Sequence, residues 1–158
     1  MKIGTLVMAS LELGRWYVVY SKRYREEIVQ FYLERKGLAV FFPRLLLQPF
    51  TKRPRIVPLF PNYLFVRIHK PVEYDIVRWS SGVIRVVDFY GHPAPLDEEV
   101  IEFLKQLVTP AGIIAMNPSL IVRNKVEGNR HIASVMNALL NPHNSRDRVG
   151  VLMQLLSG

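Results

Sequence analysis

Side chains that could bind phosphate groups are concentrated in the first third of the chain. Residues 15–55 hold ten basic and three acidic residues, in a 158-residue chain whose formal charge is +8. A positive surface of this kind attracts polyanions and binds phosphates by displacing counterions, without selecting a base sequence. The charge distribution therefore predicts a nucleic-acid partner. Charge alone is the basis for five candidate ligands: Arg25, Arg44, Lys52, Arg53 and Arg55.

Residue types used in catalysis are present but are not arranged for it. The histidines, His69, His92, His131 and His143, lie singly, without metal-ligand spacing or a neighbouring nucleophile motif. The acidic residues at 97–99 are accounted for by the start of a helix. There is no glycine-rich phosphate loop and no cysteine. We therefore expect no enzyme activity, no cofactor and no metal.

The composition limits the size and location of the protein. Hydrophobic residues make up 49% of the chain, enough for one core and a small appendage. No apolar run reaches the roughly 18 to 20 residues that span a bilayer. The lack of cysteine fits a reducing cytoplasm. We expect a soluble cytoplasmic protein without a membrane partner, and an N-terminal leader at residues 1–14 rather than a secretory signal.

The candidate ligands must be positioned by alternating strands and helices. We predict strands at residues 15–20, 38–42, 63–68 and 83–87. Helices are predicted at residues 24–36, where Ile28, Phe31 and Tyr32 have helical spacing, at 71–79, and from Asp97 to Val108. Residues 44–58, with three prolines, are predicted as an exposed loop or hairpin tip. This order is typical of an α+β fold of ferredoxin-like type, an antiparallel sheet with helices packed on one face.

The strand at residues 63–68 alternates between two kinds of side chain. Leu64, Val66 and Ile68 form an aliphatic face, which predicts core, whereas Tyr63, Phe65 and Arg67 form the other. We expect this second face to be exposed, because aromatic residues on a non-core face are frequent anchors of protein interfaces. The alternative is that the rings belong to an ordinary core.

One segment resembles a known family. Residues 58–66 (PLFPNYLFV) are similar to the signature of the NusG N-terminal domain, and most closely to that of its specialised paralogue RfaH. Three flanking features keep the expected order: residues 16–19 (WYVV), residues 78–87 with Gly82 before a strand, and Pro95 before the last helix. The resemblance covers about residues 15–108.

The resemblance implies a function and sites. It implies a transcription elongation and antitermination factor that binds the clamp helices of the largest subunit of bacterial RNA polymerase through Tyr20, Tyr63 and Phe65. It also implies that Lys22 and Arg23 contact the non-template DNA strand, where most contacts are to phosphate. A second polymerase contact, to the gate loop, falls near Glu73, Tyr74 and Asp75. The protein would be a monomer at the nucleoid, with the ribosome or Rho as partners of its C-terminal unit.

The C-terminal third departs from the family pattern. NusG proteins usually end in a small KOW β-barrel, but residues 119–128 lack its Gly-Asp pair. Apolar residues recur instead at helical spacing, namely Ile132, Val135, Met136, Leu139 and Leu140. Residues 149–156 fit either a strand or a helix. We hypothesise an autoinhibitory helical hairpin that covers Tyr20 and Phe65; a degenerate KOW barrel is the alternative.

These patterns predict four regions and leave one rival function. The regions are a leader (1–14), a NusG N-terminal domain (15–108), a linker (109–118) and a C-terminal unit (119–158). The rival is a general RNA-binding module, because a ferredoxin-like sheet with exposed aromatic residues can stack bases. The glycine- and aromatic-rich string of such RNA-binding domains is missing here. The elongation-factor interpretation is therefore preferred.

Overall fold

The computed structural model describes residues 11–47, 53–114 and 145–157, which form two compact units. The first unit contains residues 11–42 and 62–101. The second contains residues 43–47, 53–61, 102–114 and 145–157. No helix in these ranges is long and apolar enough to cross a membrane.

The first unit is built on one antiparallel sheet. Its main strands are β1 (Arg15–Ser21), β2 (Ala39–Phe41), β5 (Tyr63–Ile68) and β6 (Val83–Val86). They lie in the order β2-β5-β1-β6, and a short strand β9 (Pro95–Leu96) also pairs with β1. Helix α1 (Glu26–Arg35) connects β1 to β2, and α2 (Pro71–Arg78) connects β5 to β6. This arrangement of two split β-α-β units confirms the predicted ferredoxin-like fold.

The aliphatic face of the sheet forms the core with α1 and α2. Leu64, Val66 and Ile68 are fully buried in it, as predicted from their alternation. Val29 and Leu33 of α1 and Tyr74 and Val77 of α2 belong to the same cluster. Both helices therefore cover this face.

Helix α1 buries a side that does not include the residues whose spacing predicted it. Its buried residues are Glu26, Val29 and Leu33, whereas Phe31 and Tyr32 are about half exposed. Ile28 is also exposed. Their helical spacing predicted the helix itself, and the rings of Phe31 and Tyr32 lie on its exposed side. They lie edge to face with each other at a centroid distance of 5.7 Å, and Arg35 lies over the Phe31 ring.

The second unit contains a hairpin where a loop or hairpin tip was predicted. Strands β3 (Arg44–Leu47) and β4 (Arg55–Pro58) pair antiparallel, and β10 (Ile113–Ile114) pairs parallel with β3.

A smaller hairpin, β7 (Asp88–Phe89) with β8 (His92–Pro93), belongs to the first unit. Strand β10 lies inside the predicted linker, and the four predicted region boundaries stay predictions.

Two further helices complete the described chain. Helix α3 (Glu98–Leu107) forms within the predicted range and buries Val100, Ile101, Leu104 and Leu107. Helix α4 (Ser145–Ser157) buries Leu152 and Leu156, so the helical alternative holds for this segment. The five residues of the predicted autoinhibitory face lie outside the described residues: Ile132, Val135, Met136, Leu139 and Leu140.

Candidate functional site

A tight turn at Asn62 positions the aromatic strand β5. Asn62 has φ of 73°, a left-handed conformation that asparagine tolerates better than most residues. Its backbone N–H donates to Glu26 Oε1 at 2.9 Å, and its carbonyl accepts the N–H of Ser21 at 2.8 Å. Its side-chain amide donates to the Ser21 carbonyl at 3.2 Å. The start of β5 is thereby attached to the end of β1 and to the first turn of α1.

Sequence reasoning missed the role of Glu26. This carboxylate is only 6% exposed and accepts a backbone hydrogen bond in the turn at Asn62. A buried carboxylate requires such partners, because transfer from water is costly without them. Its spacing from Val29 and Leu33, on the buried side of α1, is the signal that could have identified it.

Tyr20 and Tyr63 form one aromatic pair at the end of β1. They are opposite each other in the β1–β5 register, and their ring centroids lie 5.0 Å apart at an interplanar angle of 32°. Both side chains are half-buried. Burial raises the pKa of Tyr63 above its ordinary value, neighbouring Tyr20 adds to the rise, and Arg85 opposes it. Arg85 itself is exposed and pairs in register with Tyr20 from β6.

Phe65 is buried, which contradicts the predicted exposure of this face. Its side chain has no accessible surface, and its ring stacks on Phe41 of β2 at a centroid distance of 6.1 Å. Trp16 and Val18, on the same side of β1, are also buried. Strand alternation reports the side of the sheet on which a residue lies, but it does not report whether that side is covered. Arg67, farther along β5, forms an ion pair with Glu98 at 3.3 Å.

The three predicted gate-loop residues all have structural partners in or beside α2. Glu73 accepts the backbone N–H groups of His69 and Lys70 at 2.6 and 3.1 Å, which caps its own helix. Asp75 pairs with Arg78 at 3.0 Å. Tyr74 is 7% exposed and belongs to the core, where burial raises its pKa. A gate-loop contact stays a prediction, and the Tyr74 ring is poorly placed for it.

Three of the predicted nucleic-acid ligands share one exposed turn. Lys22, Arg23 and Arg25 lie between β1 and α1, directly after the Tyr20–Tyr63 pair, and all three are exposed. The turn is anchored by the Lys22 N–H, which donates to the Gly82 carbonyl at 2.8 Å. The Arg23 guanidinium lies over the Tyr24 ring at 4.9 Å. The sequence therefore identified a continuous positive surface here.

Three of the other predicted basic ligands, Arg44, Arg53 and Arg55, belong to the second unit. Arg53 and Arg55 are exposed, but Arg44 is half-buried and donates to the Ala111 carbonyl at 2.7 Å. Lys52 lies outside the described residues. Arg44 therefore links β3 to the residues that precede β10. This is a structural role, which its charge alone did not predict.

Two exposed rings near the basic turn were also missed. Tyr24 is 79% and Trp79 is 76% exposed, and the Arg78 guanidinium lies 4.9 Å from the centre of the Trp79 ring. The available signal was the position of Trp79, next to an arginine and directly before the Ser-Ser-Gly sequence that ends α2. Sequence reasoning treated this tryptophan only as the end of a helix.

The second unit holds a buried cation. The side chain of Arg148 in α4 is 3% exposed, and its Nε donates to the Leu59 carbonyl at 2.7 Å. Burial lowers the pKa of Arg148, because desolvation disfavours the charged form. Leu59 belongs to the PLFPNYLFV segment. Residues 58–66 therefore contain the first part of strand β5 and also the carbonyl that accepts a hydrogen bond from α4.

Comparison with known proteins identifies the family. Residues 14–105 match the family described as transcription termination factor NusG. A solved structure titled "Domain interaction in Thermotoga maritima NusG" is 26% identical in sequence, with a TM-score of 0.41. The match covers 55% of this chain and 52% of that chain, so the similarity spans about half the length of the Thermotoga protein. Because the family match extends over more than half of its residues, the chain belongs to the NusG family.

Proposed function

We propose that the protein is a transcription elongation and antitermination factor of the specialised, RfaH-like branch, acting on RNA polymerase and not as an enzyme. The observation that carries the proposal is the half-exposed Tyr20–Tyr63 pair, held at the end of β1 beside an exposed cluster of cations. Membership of a family described as transcription termination factors supports it. The helical form of residues 145–157 supports the specialised branch, because a KOW barrel is built from strands.

The tyrosine pair has the properties of an interface anchor. Tyrosine combines a large apolar ring with a hydroxyl that can keep a hydrogen bond after desolvation, and it is enriched in interface hot spots. The turn at Asn62 holds the backbone next to Tyr63 in place, so little backbone freedom remains to be lost there on binding. We propose that this pair contacts the clamp helices of the largest polymerase subunit.

Phe65 can contribute to the same contact only after a conformational change. Its side chain has no exposed surface, so a partner cannot reach its ring in the described state. We propose that Tyr20 and Tyr63 contact polymerase first, and that Phe65 joins them when its ring is uncovered. The autoinhibitory role of residues 132–140 stays a prediction, as do contacts to the ribosome or Rho.

The basic turn lies next to the proposed polymerase contact. Lys22 follows the last residue of β1, so a protein docked through Tyr20 carries Lys22 and Arg23 directly beside its partner. We propose that this turn contacts phosphates of the non-template strand, a contact that fixes position more than it reads sequence. This activity requires the protein to be present in the cytoplasm, where polymerase acts.

The test is retention of core RNA polymerase after nuclease treatment. Immobilised protein should retain polymerase without nucleic acid, and the Tyr20→Ala, Tyr63→Ala double variant should bind at least about 30-fold more weakly, as expected for hot-spot residues. Tyr90→Ala is the control, because it removes a fully exposed ring from the β7–β8 hairpin. Equal retention by the double variant and the parent protein would reject the proposal. Loss of all partners on nuclease treatment would favour the RNA-binding module instead.

A further inference from the structure

Two highly exposed aromatic side chains lie on turns that contact each other within the first unit. Tyr24 belongs to the turn between β1 and α1, and Trp79 belongs to the turn between α2 and β6. The Lys22 N–H donates to the Gly82 carbonyl at 2.8 Å, which joins the two turns. A methyl group on Gly82 would lie 3.4 Å from the Arg25 Cβ, so the turns are also packed closely.

The folded structure gains little from these two rings. Tyr24 has φ of 60°, a left-handed conformation that is unfavourable for a bulky residue, and 79% of its surface is exposed. Asparagine or glycine would adopt this backbone at lower cost. Trp79 leaves 76% of its surface in water at the end of α2. Packing therefore does not account for an aromatic residue at either position.

The surroundings of both rings are positively charged. The Arg23 guanidinium lies over Tyr24 and that of Arg78 lies over Trp79, each 4.9 Å from the ring centroid. Lys22 and Arg25 are exposed in the same turn as Tyr24. The adjoining helices also carry carboxylates: Asp75 pairs with Arg78, Glu26 accepts the N–H of Asn62, and Glu27 is exposed in the first turn of α1. The resulting surface offers flat apolar rings among cations, which is complementary to a polyanion that carries exposed planar groups.

We propose that Tyr24 and Trp79 stack on unpaired bases of a nucleic-acid strand, while Lys22, Arg23 and Arg25 bind its phosphates. Rings of this kind can stack on any base, so the surface would distinguish unpaired from paired nucleic acid without reading a sequence. In a duplex the base faces are covered by neighbouring bases, and the rings have nothing to contact. The inference deepens the proposed function, because it rests on the proposed contact of this turn with one DNA strand.

The first experiment uses the fluorescence of Trp79 in the full-length protein. The chain has two tryptophans, and Trp16 is only 3% exposed, so a change caused by added nucleic acid reports mainly on Trp79. Short oligothymidylate, oligouridylate and a duplex of equal length are titrated separately. We expect the single strands to quench the emission and the duplex to have little effect. The two single strands show whether DNA or RNA is preferred.

The second experiment measures binding of labelled oligothymidylate to variants. Tyr24→Asn and Trp79→Ala should each bind about tenfold more weakly, the loss typical of one stacked base. The dependence of affinity on salt should be unchanged in both, whereas Lys22→Gln should reduce its slope by about 0.7. Trp79→Phe should restore most of the affinity. Tyr90→Asn is the matched control, because Tyr90 is also fully exposed at a positive φ, 53°, on another turn.

The outcomes separate this inference from the proposed function. Unchanged oligothymidylate binding by the Tyr24→Asn, Trp79→Ala double variant, with native circular dichroism, would overturn the stacking site. Equal affinity of the parent protein for the duplex would also overturn it. If the double variant loses polymerase binding but still binds the single strand, the two rings contact a protein instead of bases. The polymerase contact through Tyr20 and Tyr63 is measured in nuclease-treated samples, and it can succeed or fail independently.

Discussion

Phe65 lies within the sheet, paired with Val18 of β1 on one side and with Phe41 of β2 on the other. Its ring is fully buried and stacks on that of Phe41. An aromatic side chain in this position contributes both buried apolar area and ring contacts to folding. The residue therefore has a structural function in the described state, whatever it does when polymerase is present.

We predict that Phe65→Ala lowers the free energy of unfolding by about 3 to 5 kcal/mol, because it removes a buried ring and leaves a cavity. Urea denaturation followed by circular dichroism measures this loss. Tyr90→Ala, at a fully exposed side chain, should change stability by less than about 0.5 kcal/mol. A Phe65→Ala protein as stable as the parent would show that the ring is not part of the core. Tyr20 and Tyr63 are for this reason the better positions for binding experiments.

Individual residues also show where sequence reasoning reached its limit. The side of the strand on which Tyr63 lies followed from strand alternation, and Arg25 was selected by charge, which are local properties, whereas Lys22 and Arg23 were implied by the resemblance to NusG proteins. The burial of Phe65 did not, because it depends on what lies above the sheet. The carboxylate of Glu26 and the ring of Trp79 were missed because charge and aromaticity are usually assigned to surface and core respectively. Here Glu26 is buried and Trp79 is exposed.

At the level of elements, helix α1 packs against the turn between α2 and β6 at Gly82. Gly82 has φ of +89°, and an added Cβ would lie 2.9 Å from Val29 Cγ2, closer than real contacts allow. The same glycine accepts the hydrogen bond from Lys22. Glycine is therefore required at this position both for its backbone conformation and for the close approach of α1.

We predict that Gly82→Ala destabilises the protein by about 1 to 3 kcal/mol more than Gly91→Ala does, the range typical of overpacking. The two glycines have similar positive φ values, +89° and +79°, but no atom lies within 4 Å of a Cβ at Gly91. Backbone strain should therefore be similar in the two variants. The difference between their losses of stability measures the steric contact with Val29. Thermal unfolding of both variants gives the difference. Equal losses would mean that α1 does not pack tightly on this turn.

The elements were predicted with different success for physical reasons. The order of strands and helices along the chain follows from local patterns, so the ferredoxin-like fold was predictable. Residues 149–156 satisfy both the strand and the helix period, and only the structure shows the helix at Ser145–Ser157. Strands β3 and β4 form despite prolines, because they pair with each other along four residue pairs and β3 also pairs with β10. A pairing partner more than sixty residues away in the chain leaves no signal in the local sequence.

Over the whole molecule, three tyrosines link folding to pH. Burial is the largest cause that raises the pKa of Tyr17, Tyr63 and Tyr74 above the ordinary value of 10.0. In the unfolded chain these phenols lose their protons near that value, whereas in the folded protein they keep them to higher pH. The unfolded state then binds fewer protons than the folded state, so stability falls as pH rises. Well below pH 10.0 both states keep these protons and the stabilisation is complete.

We predict that the midpoint of thermal unfolding declines as pH rises above about 10, and that the decline is less steep in Tyr63→Phe. The substitution keeps the aromatic ring but removes the phenol proton. The folded and unfolded states then differ less in the number of protons that they bind. Unfolding curves recorded by circular dichroism between about pH 8.5 and 11 make the comparison, with ultraviolet absorbance reporting the ionised phenols. Identical pH dependence in the parent and Tyr63→Phe proteins would contradict a raised pKa for Tyr63.

In the sequence, the hairpin formed by β3 and β4 lies between β2 and β5, which are neighbouring strands of the main sheet. Phe41 of β2 pairs with Phe65 of β5, and at the base of the hairpin the N–H of Leu59 donates to the Pro43 carbonyl at 2.9 Å. Each doubling of a flexible connection costs only about 0.6 kcal/mol. We therefore predict that residues added between β3 and β4 leave the pairing of β2 with β5 intact. A fluorophore, an epitope or a cross-linker could be grafted there while the pairing of the main sheet is preserved.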